Sequence, residues 1–284
     1  MCGSVDIEVT PGGDGDIALA TTGLTAGTLQ ADPTRVETEH SGSGVTGAAF
    51  DYTVKVPAGT SLARFDLDSI DDTADLDLTV YLVDRKGTPV AGWQSATGDA
   101  DERVDIADPA AGTYLVYVDV YSASTATAFD LTTFAVTPGG APLTLAPPVI
   151  AGQQGVTTTV TASWSGLTPS TSYLGEISYG STGASTLLEV VTGEPVGPVN
   201  TVLPVISGNP VVGGKLTATA GEWGADRPRF AYQWQRNGID IPRATRSTHK
   251  VVAADRGAAL TVVVTATVSG LPDGTATSAA VTVK

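Results

Sequence analysis

At 284 residues the chain is too long for one ordinary β-sandwich and comfortable for two or three. Apolar residues make up 42%, which excludes disorder by composition, and the formal charge of −15 opposes any bulk attraction to nucleic acid or an anionic membrane. One cysteine, Cys2, excludes an intramolecular disulfide, and no run of apolar residues is long enough to span a bilayer as a helix.

The chain opens on Met1-Cys2-Gly3-Ser4, which reads as a cloning remnant of four residues; with no leader following it, the sequence reads as a piece excised from a secreted protein. Alternation with period two then dominates and no window holds a helical period. In the stretch 5–140 the strand Leu62 to Leu67 is followed by the clearest one, Asp75 to Leu82, with Leu76, Leu78, Val80 and Leu82 on one face and Asp75, Asp77, Thr79 and Tyr81 on the other. Thr113 to Tyr121 follows, with Tyr114, Val116, Val118 and Val120 facing in, and then Ala126 to Val136. Pro138-Gly139-Gly140 reads as a hinge. The stretch 141–196 is small, with strands at Val156 to Trp164, Tyr173 to Tyr179 and Thr186 to Thr192; a unit this short is marginal alone and should pack on a neighbour. The stretch 197–284 offers Lys215 to Ala220, Phe230 to Gln235, Leu260 to Val268 and Thr275 to Val283, about the size of one immunoglobulin-like sandwich. The expected fold is therefore all-β, with three antiparallel sandwich modules in tandem.

Charge is uneven along these stretches. Residues 1–140 carry 22 acids and 6 bases, whereas residues 200–284 carry 5 acids and 9 bases. Asp66, Asp68, Asp71, Asp72, Asp75 and Asp77 form the densest acidic cluster. If their two strands pair as a hairpin these carboxylates converge, and two unit charges about 4 Å apart near a surface repel by about 4 kcal/mol. A calcium ion would relieve that repulsion, although the spacing does not match an EF-hand loop. The cluster reads either as a calcium site or as a solvated acidic surface.

Three further groups are candidates. Gly59-Thr60-Ser61-Leu62-Ala63 imitates the nucleophile motif of a serine peptidase, but a nucleophilic serine needs a histidine base and an orienting acid. Only His40 and His249 are present, in different modules, so the motif reads as a turn and the chain as non-catalytic. Trp93, Tyr117 and Tyr121 are the candidate ligand platform, with Trp93 taken as the most exposed tryptophan; Trp164 and Trp234 read as core. Arg227, Arg229, Arg236, Arg243, Arg246 and Lys250 form the basic stretch, either ordinary solvated surface, a contact for a polyanionic wall polymer, or a docking face for the acidic first module.

Several motifs carry family resemblances. Asp75-Leu76-Asp77-Leu78-Thr79-Val80-Tyr81 together with Pro109-Ala110-Ala111-Gly112-Thr113-Tyr114-Leu115-Val116-Tyr117-Val118 resembles the bacterial pre-peptidase C-terminal domain. The stretch from Val56-Pro57-Ala58-Gly59-Thr60 to Ala63-Arg64-Phe65 looks like the version found behind actinobacterial subtilisin-like proteases. Ser163-Trp164-Ser165-Gly166-Leu167 and Thr171-Ser172-Tyr173-Leu174-Gly175 are similar to a small fibronectin-type-III-like module. Gly214-Lys215-Leu216-Thr217-Ala218-Thr219, Tyr232-Gln233-Trp234-Gln235-Arg236-Asn237-Gly238 and Asp255-Arg256-Gly257 resemble a bacterial immunoglobulin-like repeat. The order of these motifs implies an extracellular, non-catalytic tail of a subtilisin-like serine endopeptidase. Its partners would be the parent catalytic domain and a protein substrate, cell-wall polymer or polysaccharide. Some members of the first family bind calcium, which implies the same of the acidic cluster. The competing reading is a fragment of a surface adhesin or carbohydrate-binding protein built of β-repeats; more β-repeats upstream, rather than a peptidase domain, would mark it.

Overall fold

A computed structural model describes residues 1–225 and 227–284. The alternating sequence becomes 26 strands, every ladder antiparallel, with a single 3-10 turn at Ala253–Asp255 and no α-helix among the described residues. Among the described residues no helix is long and apolar enough to cross a membrane. Two bodies are present, Met1–Gly193 and Glu194–Lys284.

The first body holds two sandwiches. One has a sheet in the order Ala49–Val56, Gly112–Ser122, Asp75–Val83, Pro89–Ser95. Facing it is a sheet in which Thr127–Val136 pairs with Thr28–Leu29, Gly42–Gly44 and Leu62–Ser69, the last of these also pairing with Glu102–Ala107. Between the two sheets Leu76, Leu78, Val80, Tyr114, Val116, Val118, Phe129 and Leu131 are fully buried, each aliphatic side chain contributing about 1.5–3 kcal/mol by leaving water. Leu82, expected in that core, is only partly buried at its edge.

The second sandwich pairs Gly3–Val9 and Leu143–Ala146 with Thr158–Trp164, against a sheet in the order Val149–Gly152, Gly15–Ala26, Ser172–Tyr179, Ser185–Val191. This corrects the expected split at residue 140. The strands Gly3–Val9 and Gly15–Ala26 lie in the first stretch of sequence but in the sheets of the second module, so the first sandwich is an insertion between Ala26 and Leu143. The physical reason is the one that made 141–196 marginal: with its own strands alone it has too little apolar surface to close a core, and Ile7 and Leu24 from the N-terminal strands complete it. Gly3 and Ser4 occupy ladder positions opposite Trp164 and Ser163, and a Cβ on Gly3 would meet the Trp164 ring at 2.9 Å.

The two sandwiches share a seam. Leu62, Phe134 and Val136 from the first bury against Leu174 of the second. Beside them the buried Arg64 guanidinium donates from Nε and Nη2 to Asp105, at 2.7 and 2.8 Å, and from Nη1 to Glu189 of the second sandwich at 3.1 Å.

In the second body Ile206–Gly208, Lys215–Ala218 and Thr248–Lys250 form one sheet, and Ile239–Asp240, Arg229–Arg236, Ala259–Thr267 and Gly274–Thr277 another. Trp234 is fully buried between them, donating from Nε1 to the Arg246 carbonyl at 2.8 Å and stacking on His249 with ring centroids 5.4 Å apart. Phe230, which alternation along Arg229–Arg236 sets on the same face as Trp234, remains 39% exposed and leans on Trp223.

Candidate functional site

Alternation along Gly112–Ser122 sends Val116, Val118 and Val120 inward and therefore Tyr117, Asp119 and Tyr121 outward. The outer face of this sheet is where the sequence-predicted ligand residues meet. Tyr117 lies opposite Asp51 on one neighbour and Thr79 on the other, and Asp119 lies directly opposite Asp77. The Tyr81 ring packs edge-on against Tyr117, with centroids 5.9 Å apart and planes at 72°. Gly92 makes room for it, since a Cβ there would meet the Tyr81 ring at 2.8 Å. Tyr121 stands 67% exposed at the end of the row. The face thus presents three tyrosines interleaved with Asp51, Asp77 and Asp119, an arrangement that offers both stacking surface and carboxylates to a ligand with apolar and cationic or hydroxyl groups.

Trp93 does not join them. It lies opposite Val80, points into the sandwich and packs against Tyr114 with centroids 6.1 Å apart. Its place after the turn that ends Asp75–Val83 suggested exposure, but the strand Pro89–Ser95 carries Trp93 on its inner face. Tyr81, the aromatic that takes the outer place, was assigned to that face by alternation but not singled out; its register with Tyr117 was not readable from either strand alone.

The expected convergence of the six aspartates does not occur. Leu62–Ser69 and Asp75–Val83 belong to opposite sheets, so the segment between them crosses the sandwich instead of closing a hairpin. Asp66 and Asp68 lie on the seam-side face, Asp66 held by the Arg103 guanidinium at 2.7 and 2.8 Å, and Asp68 opposite Asp130. Asp75 and Asp77 lie on the far side of the core. Asp71 closes its own turn onto the Thr73 backbone and hydroxyl, and Asp72 is exposed. As a set these six do not fit a calcium cage, and among the described residues no group of three or more His, Cys, Asp or Glu side chains is disposed to hold a metal ion.

What remains on the outer face is unrelieved repulsion. Burial first, and then the neighbouring Asp75, Asp119 and Glu102, push the Asp77 carboxyl above the usual aspartate range. One oxygen of Asp75 is buried without a hydrogen-bond partner among the described residues. A folded-state value raised above the unfolded one means that Asp77 favours the fold when protonated. Its contribution improves as pH falls through that raised value and worsens as the group ionises. Asp77→Asn is therefore expected to stabilise this sandwich by about 0.5–1 kcal/mol at neutral pH, the scale of a directly opposed like-charge pair. The gain should shrink as pH approaches 4. Thermal melts of the two proteins across that range check it, and a destabilised variant at pH 7 contradicts it.

The serine motif folds as the expected turn. Gly59 takes a φ of 82°, and the Ser61 backbone N–H and hydroxyl both donate to the Val136 carbonyl, at 2.8 and 3.3 Å. His40 Nδ1 lies 3.1 Å from Asp130, and the buried His249 Nε2 lies 2.9 Å from Asp255. Among the described residues neither imidazole hydrogen-bonds a serine. Arg236 of the basic stretch is drawn inward onto Asp255, at 2.7 and 2.5 Å.

Residues 49–122 match the family model of the bacterial pre-peptidase C-terminal domain, a span that includes all four strands of the sheet bearing the tyrosines. No curated protein matches the chain. Among solved structures, the VP2 subviral particle of infectious bursal disease virus is similar over 67% of this chain at 12% identity and a TM-score of 0.23, and the chain spans 42% of that viral chain's length. Domains A168–A170 of titin are similar over 92% of this chain and 100% of theirs, at 12% identity and a TM-score of 0.23.

Proposed function

We propose that this chain is a non-catalytic accessory region of a secreted, subtilisin-like serine endopeptidase, acting outside the cell. The observation that carries the reading is the match of residues 49–122 to a domain family of peptidase C-terminal regions. The second sandwich then corresponds to the fibronectin-type-III-like module and the last to the immunoglobulin-like repeat. The accessory region stabilises the parent enzyme, supports its export, or holds it near a protein substrate, a wall polymer or a polysaccharide. In this reading the outer face with Tyr81, Tyr117 and Tyr121 is the contact surface. It is the outer face of a four-stranded sheet, which suits tethering to an extended ligand and raises the local substrate concentration without any chemistry of its own.

The test is the full reading frame and the enzyme it encodes. A catalytic domain with its own Asp, His and Ser motifs is expected upstream. Removing residues 1–284 should leave cleavage of a small soluble peptide within about twofold, while retention on an insoluble substrate falls by tenfold or more, the scale of a lost second contact. A reading frame with no peptidase domain ends the proposal.

A further inference from the structure

The second body carries a basic face. Lys215 and Lys250 are directly opposite each other in the ladder between Lys215–Ala218 and Thr248–Lys250. Their neighbours Leu216 and His249 turn inward, so both exposed lysines share the outer face of the sheet. Directly opposed like charges destabilise a sheet, so the pairing calls for a reason outside the fold. The loop leading into the second strand adds Arg243 and Arg246. Together with Thr245, Thr248 and Lys250 they line one concavity of 310 Å³. Arg243 is held there with a φ of 63°, a left-handed conformation that costs a side-chain-bearing residue free energy and is over-represented at functional positions. Among the described residues no carboxylate pairs with Lys215, Arg243, Arg246 or Lys250; Asp255 is taken by Arg236 and His249, and Asp240 by Gln235.

We propose that this face binds the phosphate esters of a flexible, single-chain phosphate polymer. Two guanidinium forks, two ammonium groups and two threonine hydroxyls, with no competing acid, are the donor set that phosphate oxygens accept from. The patch spans only two short strands and a loop, roughly 10 Å at strand spacings of about 4.8 Å and a rise of about 3.4 Å per residue. A flexible chain can follow so small a face. A rigid duplex or a bilayer presents a broad anionic surface that reaches well past so small a patch, whereas a single chain meets only the stretch 200–284 with its 9 bases against 5 acids. The inference names a chemical class for the wall-polymer contact of the accessory reading; it is tested on this chain alone, so its failure leaves the reading-frame test of that reading untouched.

The test uses the full chain and inorganic polyphosphate, titrated by calorimetry at several salt concentrations. Three to four phosphate contacts predict that log K falls with log salt at a slope of about −2 to −3. The double variant Arg246→Gln/Lys250→Gln should bind at least about tenfold more weakly. Its melting temperature should be unchanged or raised, because the Lys215–Lys250 opposition is gone. Lys86→Gln, in a turn of the first body, should bind as the parent does. If the double variant unfolds, Arg243→Gln alone carries the same expected loss of affinity. Undiminished binding by a folded variant, or a slope near zero, overturns the proposal. So does tighter binding of duplex DNA or of phosphatidylglycerol vesicles, and so does orthophosphate binding as tightly as the polymer.

Discussion

Replacing Asp255 by asparagine is expected to cost the last sandwich about 3–5 kcal/mol, the range for removing one member of a buried ionic cluster. The side chain is fully buried, and its two oxygens accept from Arg236 Nε and Nη2, from the Val252 backbone N–H at 2.8 Å and from His249 Nε2. Asparagine keeps the shape but strips the charge that the guanidinium was desolvated to meet. The disturbance passes directly to His249 and to the Trp234 ring stacked on it. Burial pushes the Asp255 carboxyl up, but the bonds from Val252, His249 and Arg236 more than offset it and hold the group below the ordinary aspartate value of 3.8. A depressed folded-state value stabilises the fold above the unfolded value, and that stability is lost as pH falls through the folded one. Denaturant unfolding should therefore show the full deficit at pH 7 and a shrinking one below about pH 4. A parent and variant that unfold together at pH 7 would contradict the assignment.

Arg64→Ala is expected to be the most damaging charge deletion in the first body, at about 3 kcal/mol. The guanidinium is buried on the outer face of its sheet and serves Asp105 bidentately and Glu189 across the seam. Lysine at this position should recover less than half of the loss, because a point charge cannot reproduce the two-pronged geometry. Glu189→Gln removes the partner that is more than a third exposed and should cost only about 0.5–1 kcal/mol. The apolar half of the seam, Leu62, Phe134 and Val136 on Leu174, stays in place in each variant, so the sandwiches remain joined while the melting temperature falls. An Arg64→Ala protein that melts with the parent would show that the seam is held by its apolar half alone.

The parts of this molecule that were legible in the sequence are those set by local period. Asp75–Val83, Gly112–Ser122, Thr127–Val136 and Ala259–Thr267 lie within a residue or two of their expected ends; Thr127–Val136 buries Phe129 and Leu131 on one side and Phe134 and Val136 on the other, whereas the first, second and last alternate long enough to leave one choice of inner face. Trp234 was legible as core for the same reason. What failed was pairing. Nothing in Asp6-Ile7-Glu8-Val9 says that its ladder partner is Thr158–Trp164, some 150 residues on, because a strand's own pattern specifies a face and not a neighbour. The same gap misplaced the acidic cluster: alternation put Asp66 with Asp68 and Asp75 with Asp77, and only the crossover between sheets decides that the two pairs never meet. Trp93 failed through its place after a turn, since nothing local said that the chain resumes there as an edge strand with Trp93 facing in. Of the candidate site, Tyr117 and Tyr121 were found by period alone, whereas Tyr81 needed the register that sets it beside Tyr117.

The central claim, that this chain tethers and does not cut, is tested most directly by reacting it with a fluorophosphonate that labels activated serines, at pH 7 to 8, followed by intact-mass measurement. The account predicts no adduct, since the Ser61 hydroxyl faces a backbone carbonyl and each histidine faces an aspartate. A stoichiometric adduct that disappears in Ser61→Ala would contradict it.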